Sequence, residues 1–165
     1  MNSPQETALK LSKCPLFADI PPEKLFEIEQ AAENMAVPSH TVIFRQGEQG
    51  DSFFVIDSGR VRIFRKSVSG SAREVAQLGP GESFGELALI TGEPRFGYVE
   101  TLEETHIIII RKDMFEHILK EYPLVLGALI KKVSSWLYHS NRKLEGETER
   151  RCSEVEDVMS RLDKL

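Results

Sequence analysis

The sequence predicts a mainly β domain, a barrel or sandwich, with helices at both ends. Two observations carry this expectation. Between Val37 and Arg111 short apolar runs alternate with glycine-centred turns, and regular short strands with such punctuation suggest a barrel or sandwich. Before and after that stretch, apolar residues recur every three or four positions, the period of an amphipathic helix. With 165 residues, 41% of them hydrophobic, the chain has enough material for one domain with a core.

Taken in order, residues 5 to 35 read as helical. Pro21-Pro22 opens a segment in which Leu25, Ile28 and Ala32 share a face, and proline is tolerated in a first helical turn because the N–H it lacks has no helical partner there. Six strands follow: Val42 to Phe44, Phe53 to Ile56, Val61 to Phe64, Val75 to Leu78, Tyr98 to Leu102 and His106 to Ile110. Gln46-Gly47, Gln49-Gly50, Ser58-Gly59, Ser69-Gly70 and Gly79-Pro80-Gly81 supply the turns between them. Helix then resumes, with Asp113 as the expected cap of Met114 to Glu121. Pro123 starts a longer helix whose Leu126, Leu129, Ile130, Val133 and Leu137 form one apolar face. Ser140, Leu144, Thr148, Arg151, Val155, Val158, Leu162 and Leu165 continue it as a heptad-like seam with a polar middle. Gly146 weakens that helix by about 1 kcal/mol relative to alanine. The expected division is an N-terminal helical segment at 1–35, a β barrel or sandwich with a short following helix at 36–122, and a C-terminal helical region at 123–165.

Charge and motifs exclude several functions. A net charge of −5 gives no overall attraction to nucleic acid. No apolar run approaches membrane-spanning length, and the polar start is unlike a signal peptide, so the expected location is cytoplasmic. Two cysteines far apart in sequence, Cys14 and Cys152, read as unrelated reduced thiols. There is no P-loop, dinucleotide fingerprint or nucleophile elbow. His40, His106, His117 and His139 are scattered without the spacing of a metal pair. The expectation is therefore a non-enzymatic protein with no catalytic residues, no metal and no cofactor.

The run from Phe84 to Arg95 is different. Gly85 permits close approach to the backbone. Glu86 opens a short helical segment through Ile90, where unpaired backbone N–H groups attract an anion. Gly92 makes a second turn, and Pro94-Arg95 follows. Glu86 can accept hydrogen bonds from a hydroxyl, while Arg95 offers a planar fork of donors to a phosphate. Read on their own, Glu86 could equally cap the helix and pair with Arg95.

This run closely resembles the phosphate-binding cassette of the cyclic-nucleotide-binding domains, the family of the protein kinase A regulatory subunits and the catabolite activator proteins. Phe44 to Ile56, Ser58 to Val61 and Leu78 to Phe84 resemble the same family's strands and turns, in the same order. The resemblance implies an eight-stranded β-roll (a double-stranded β-helix of jelly-roll type), with N-terminal helices and a long C-terminal helix. It implies a regulatory domain that senses a cyclic nucleotide and signals through that helix. Glu86 would take the ribose 2′-hydroxyl. Arg95 would take the phosphate, together with the N–H groups after Gly85, at Glu86 and Leu87. Val75 and Leu78 fall where the family's strand wall meets the purine, although they are equally ordinary core residues. Ser140 and Asn141 occupy the lid positions on the long helix.

Two departures stand out. Phe96, followed by Gly97, replaces the small residue that usually follows the cassette arginine; its ring must turn away or fill the phosphate space. Glu100-Thr101 places an extra carboxylate on the next strand. Without a hydroxyl after Arg95, cyclic AMP is favoured over cyclic GMP. The expected partners are the nucleotide and a second copy of the chain through the C-terminal helix. No membrane is expected, nor DNA, because the residues after 145 are too few for a winged helix. The alternative is a β-roll that has lost its ligand and serves as a dimerisation or docking module; a third reading keeps a sensor but changes the ligand to another small anion or haem.

Overall fold

The computed structural model describes residues 10–139 together with Arg142 and Ser160. Residues 10–12 are helical, and a 3-10 turn at Pro15–Phe17 precedes α1 (Pro22–Ala31). The strands are β1 (Glu33–Val37), β2 (Val42–Phe44), β3 (Ser52–Ser58), β4 (Val61–Lys66), β5 (Ala72–Leu78), β6 (Ser83–Phe84), β7 (Tyr98–Thr101) and β8 (Thr105–Arg111). Helix α2 (Glu86–Thr91) lies between β6 and β7, and α3 (Lys112–Glu121) follows β8 directly. Residues 123–139 form α4.

The strands build two antiparallel four-stranded sheets, ordered β1-β8-β3-β6 and β2-β7-β4-β5. This is the mainly β roll with flanking helices that the sequence leads one to expect. Between the sheets lie Val37, Phe54, Ile56, Val61, Phe84, Val99, Ile107 and Ile109, with Ile43, Phe44, Ile63 and Leu78 packed against them. The first sheet is also covered on its other side. Phe53 meets Phe17 edge-on at 6.1 Å and Phe115 of α3 at 5.0 Å. That is why β8 carries the unbroken run Ile107–Ile110, all of it buried: both faces of the strand need apolar cover.

The N-terminal region departs from the helical reading of 5–35 at its end. The helix ends at Ala31, its C-cap Ala32 has an extended backbone (φ −86°, ψ 154°), and 33–35 belong to β1, paired with Ile107–Ile109 of β8. Four of the five β1 residues are exposed, so no alternation marks the strand. Pairing to a well-covered neighbour overrides local preference. Asp113 is not the cap of α3 either. The helix begins at Lys112, with extended Arg111 as N-cap, and Asp113 sits in its first turn, where a carboxylate still complements the helix dipole.

The chain divides into two compact units, Met1–Val125 and Leu126–Leu165. In the second, Leu129 is buried, Val133 is half-buried, and Leu126, Ile130 and Leu137 of the expected apolar face are 41%, 59% and 50% exposed. The seam from Ser140 onward lies outside the described residues. Among the described residues no helix is long and apolar enough to cross a membrane.

Candidate functional site

Gly85 has φ +89° and forms the N-cap of α2. A Cβ there would lie 2.9 Å from Arg95 Nη1 and 3.0 Å from the Phe54 ring, so this position needs both the freedom and the absent side chain of glycine. The short helix ends at Gly92, also left-handed, whose N–H donates to Ala88 O at 3.0 Å. Thr91 Oγ1 donates to Leu87 O at 2.7 Å. The chain then returns to the core at Arg95.

Arg95 is 5% exposed. Its main chain is fixed to the 45–50 loop on both sides: Arg95 N–H donates to Glu48 O at 2.7 Å, and Gly47 N–H donates to Arg95 O at 2.9 Å. The guanidinium donates from Nη1 to Gly85 O and from Nη2 to Ser52 O, each at 2.9 Å. Its Cζ lies 4.2 Å from the centroid of the Phe44 ring and 5.6 Å from that of Phe54. A Cβ on Gly50 would come within 2.7 Å of Ala88 Cβ and 2.9 Å of Arg95 Cζ. The cation is therefore closely enclosed by neutral groups: two backbone carbonyls, two aromatic faces and a glycine. Burial pulls its pKa below the ordinary arginine value, while the charges of Asp51, Glu48 and Glu86 act in the opposite direction. Arginine remains charged regardless.

Glu86, the first residue of α2, is buried at 7% exposure. Its charge is felt at Arg95, so the two groups singled out in the sequence share one neighbourhood. Leu87 is half-buried. Leu78 packs on the inter-sheet core, while Val75, half-buried, stands at the bulge between the Ile63–Ala76 and Phe64–Glu74 pairs. Ser140 and Asn141 lie outside the described residues.

Both departures acquire a physical account. The Phe96 ring lies against Arg65, whose Cζ is 4.3 Å from its centroid. Gly97 is buried, and a Cβ there would meet Phe64 O at 2.8 Å, so the strand can sit tightly on β4 only with glycine. Glu100 accepts from Arg62 Nη2 at 2.6 Å and Nε at 2.8 Å. This two-pronged pair across β4 and β7 neutralises the extra carboxylate.

Sequence reasoning did not assign Phe44, Gly50, Ser52 and Phe54 to this site. Only Gly50 carried a signal, as the glycine of a turn that need not have been tight. Ser52 contributes a carbonyl, which no side chain announces.

A model of the family described as "Cyclic nucleotide-binding domain" matches residues 35–122. The cyclic AMP receptor protein of Thermus thermophilus is 29% identical over 131 residues, which are 79% of this chain and 61% of that protein. A lysophospholipase of Neurospora crassa is 27% identical over 119 residues, 72% of this chain but 8% of the enzyme. The crystal structure of the Thermus thermophilus catabolite activator protein superposes with a TM-score of 0.71 at 29% identity, covering 79% of this chain and 62% of the other. This chain thus spans less than two thirds of these relatives. The cassette at Phe84–Arg95, the two-sheet roll and the match over 35–122 have one meaning: the chain belongs to the cyclic nucleotide-binding domain family.

Proposed function

We propose that this chain is a regulatory domain that binds a cyclic nucleotide, cyclic AMP in preference to cyclic GMP, at the Glu86–Arg95 neighbourhood, and signals occupancy through α4. The observation that supports this reading is the buried guanidinium of Arg95, whose hydrogen bonds go to the neutral carbonyls of Gly85 and Ser52 while the carboxylates of Asp51, Glu48 and Glu86 act on it only through their charge. A buried charge is costly unless an opposite charge accompanies it. A cyclic phosphate brings one negative charge and two exocyclic oxygens suited to a guanidinium fork. Among the described residues, Gly85 O and Ser52 O engage two of the five N–H groups of Arg95, and the others suit an anion. Glu86 accepts the ribose hydroxyl. The Thermus thermophilus relative is a cyclic AMP receptor protein, which supports the choice of nucleotide.

Calorimetric titration tests the reading. Cyclic AMP should bind the wild-type chain, and Arg95→Ala should weaken it by about 10- to 100-fold, the equivalent of one charge-assisted hydrogen bond of about 1.5–3 kcal/mol. Because that variant also strands two carbonyls, Arg95→Lys serves as the companion that keeps the charge. Absence of heat and of any thermal shift with millimolar cyclic AMP or cyclic GMP refutes the proposal.

The exposed Leu126, Ile130 and Leu137 favour a second reading, in which the roll serves as a dimerisation or docking module without a ligand. It requires self-association together with a null titration.

A further inference from the structure

On β4 one inward side chain goes unused by the core. Val61 and Ile63 turn toward the space between the sheets and pack there. Arg62 and Phe64, alternating with them, turn outward: Arg62 pairs with Glu100, and the Phe64 ring stacks on Tyr98 at 5.0 Å. The irregularity in the β4–β5 ladder falls on β5, where Ala76 and Glu74 face the consecutive residues Ile63 and Phe64, so β4 keeps its alternation. The next inward residue is Arg65, and it is exposed.

Its place is toward the cassette. In the β4–β7 ladder Ile63 faces Val99 and Phe64 faces Tyr98, and Arg65 continues that series toward Gly97, Phe96 and Arg95. A Cβ on Gly97 would lie 3.4 Å from Arg65 Cγ and 3.6 Å from Ile63 Cγ2, so both side chains stand beside Gly97. The Arg65 guanidinium lies on the Phe96 ring, its Cζ 4.3 Å from the centroid. Among the described residues, that contact is with a ring and not with a carboxylate. Stacking occupies a face of the planar guanidinium, while its five N–H donors point outward in the plane. Arg73, opposite Arg65 on β5, has an interaction of its own, and the charge in question is that of Arg65 alone.

Given the phosphate at Arg95, on which this step depends, we propose that Arg65 is a second ligand-contacting cation of the site: held on the Phe96 ring, it donates to the cyclic phosphate from the exposed side while Arg95 donates from the buried side. Phe96 is then a platform and not a plug, which gives the large residue after the cassette arginine a use. The ring limits the positions open to a long side chain, so less freedom is lost when the anion arrives. Exposure makes the contribution of Arg65 that of a screened surface pair, smaller than that of buried Arg95. The charge on the phosphate is what Arg65 reads; a neutral nucleoside gains nothing from it.

The test titrates the chain calorimetrically with cyclic AMP at about 0.1 M and about 1 M salt, between which the screening length falls from about 10 Å to about 3 Å. Arg65→Ala should weaken binding about two- to fivefold at the lower salt, the range of an exposed ion pair, and by less at the higher. Its melting temperature without ligand should equal that of wild type. Phe96→Leu should bring a similar loss, and the double variant should lose no more than either single one, as expected of residues that act as a unit. Arg65→Ala binding like wild type at both salts, or a loss that is equal at both, overturns the proposal. Losses that add in the double variant overturn the role given to the ring. If wild type binds and Arg95→Ala weakens it while Arg65→Ala does not, Arg65 alone is excluded and the cyclic-nucleotide reading stands. If wild type shows no binding at either salt, that reading falls and the role of Arg65 with it.

Discussion

A missing methyl group decides how Arg95 is held. Gly50 lies so close to Ala88 and to the Arg95 guanidinium that a Cβ would overlap both. Its φ is not in the left-handed region, so the need for glycine here is one of space. Gly50→Ala should displace either α2 or the guanidinium. The expected loss of stability is about 1–3 kcal/mol, the usual cost of overpacking, measured by urea unfolding, with weaker cyclic AMP binding in parallel. A variant as stable as wild type would show that the loop yields freely. Gly85 combines both demands, space and a positive φ. The sequence displays these two glycines alike, as turn residues, because crowding by a distant side chain leaves no local mark. Phe44 illustrates the same limit. Its strand is evident from Val42-Ile43-Phe44, whereas its place on the Arg95 guanidinium depends on how the two sheets close.

Among the elements, those with strong alternation or helical period are legible. β2 matches its expected span, and β3, β4, β5, β7 and β8 each contain or overlap theirs. β1 and β6 are not legible for opposite reasons. β1 is an exposed strand whose only instruction is its partner β8; β6 is two residues long, too short for any period. α1 has a consequence of its own. It buries Glu29 at 4% exposure with Oε2 unsatisfied, near the Lys10–Asp57 pair, whose own separation is 2.8 Å. Burial raises the Glu29 carboxyl above its ordinary value; Lys10 opposes that shift and Asp57 adds to it. The folded state therefore holds this proton more tightly than the unfolded chain does. Its contribution to stability is full below the unfolded value and is lost as pH rises through the raised folded one. Glu29→Gln should remove that slope and gain relative to wild type toward neutral pH. Melting curves from mildly acidic to neutral pH read this as a widening difference, and parallel curves would count against it.

At the scale of the whole molecule, the roll and the helix after it pose separate questions. The roll, with its core between the sheets, accounts for the family match over 35–122. The helical unit presents Leu126, Ile130 and Leu137 to solvent, at a spacing that continues into the seam read from the sequence. A second copy of the chain is the proposed cover. Sedimentation should show a dimer at micromolar concentration, and Leu126→Glu/Ile130→Glu should return it to monomer while the roll melts unchanged. A wild-type monomer throughout that range removes the seam's assigned role. What the sequence supports most strongly here is the pattern of one helix face.

The stretch from 45 to 52 grips Arg95 at three points: Gly47 N–H and Glu48 O on its backbone, and Ser52 O on its guanidinium. The same stretch ends in another bond, for Asp51 O accepts from the N–H of Lys112, the first residue of α3. Peptide groups alone thus connect the cationic centre to the helix that leaves the roll. On the proposed reading, in which Arg95 takes the phosphate, a shift of Arg95 would reach the root of α3 through these backbone bonds.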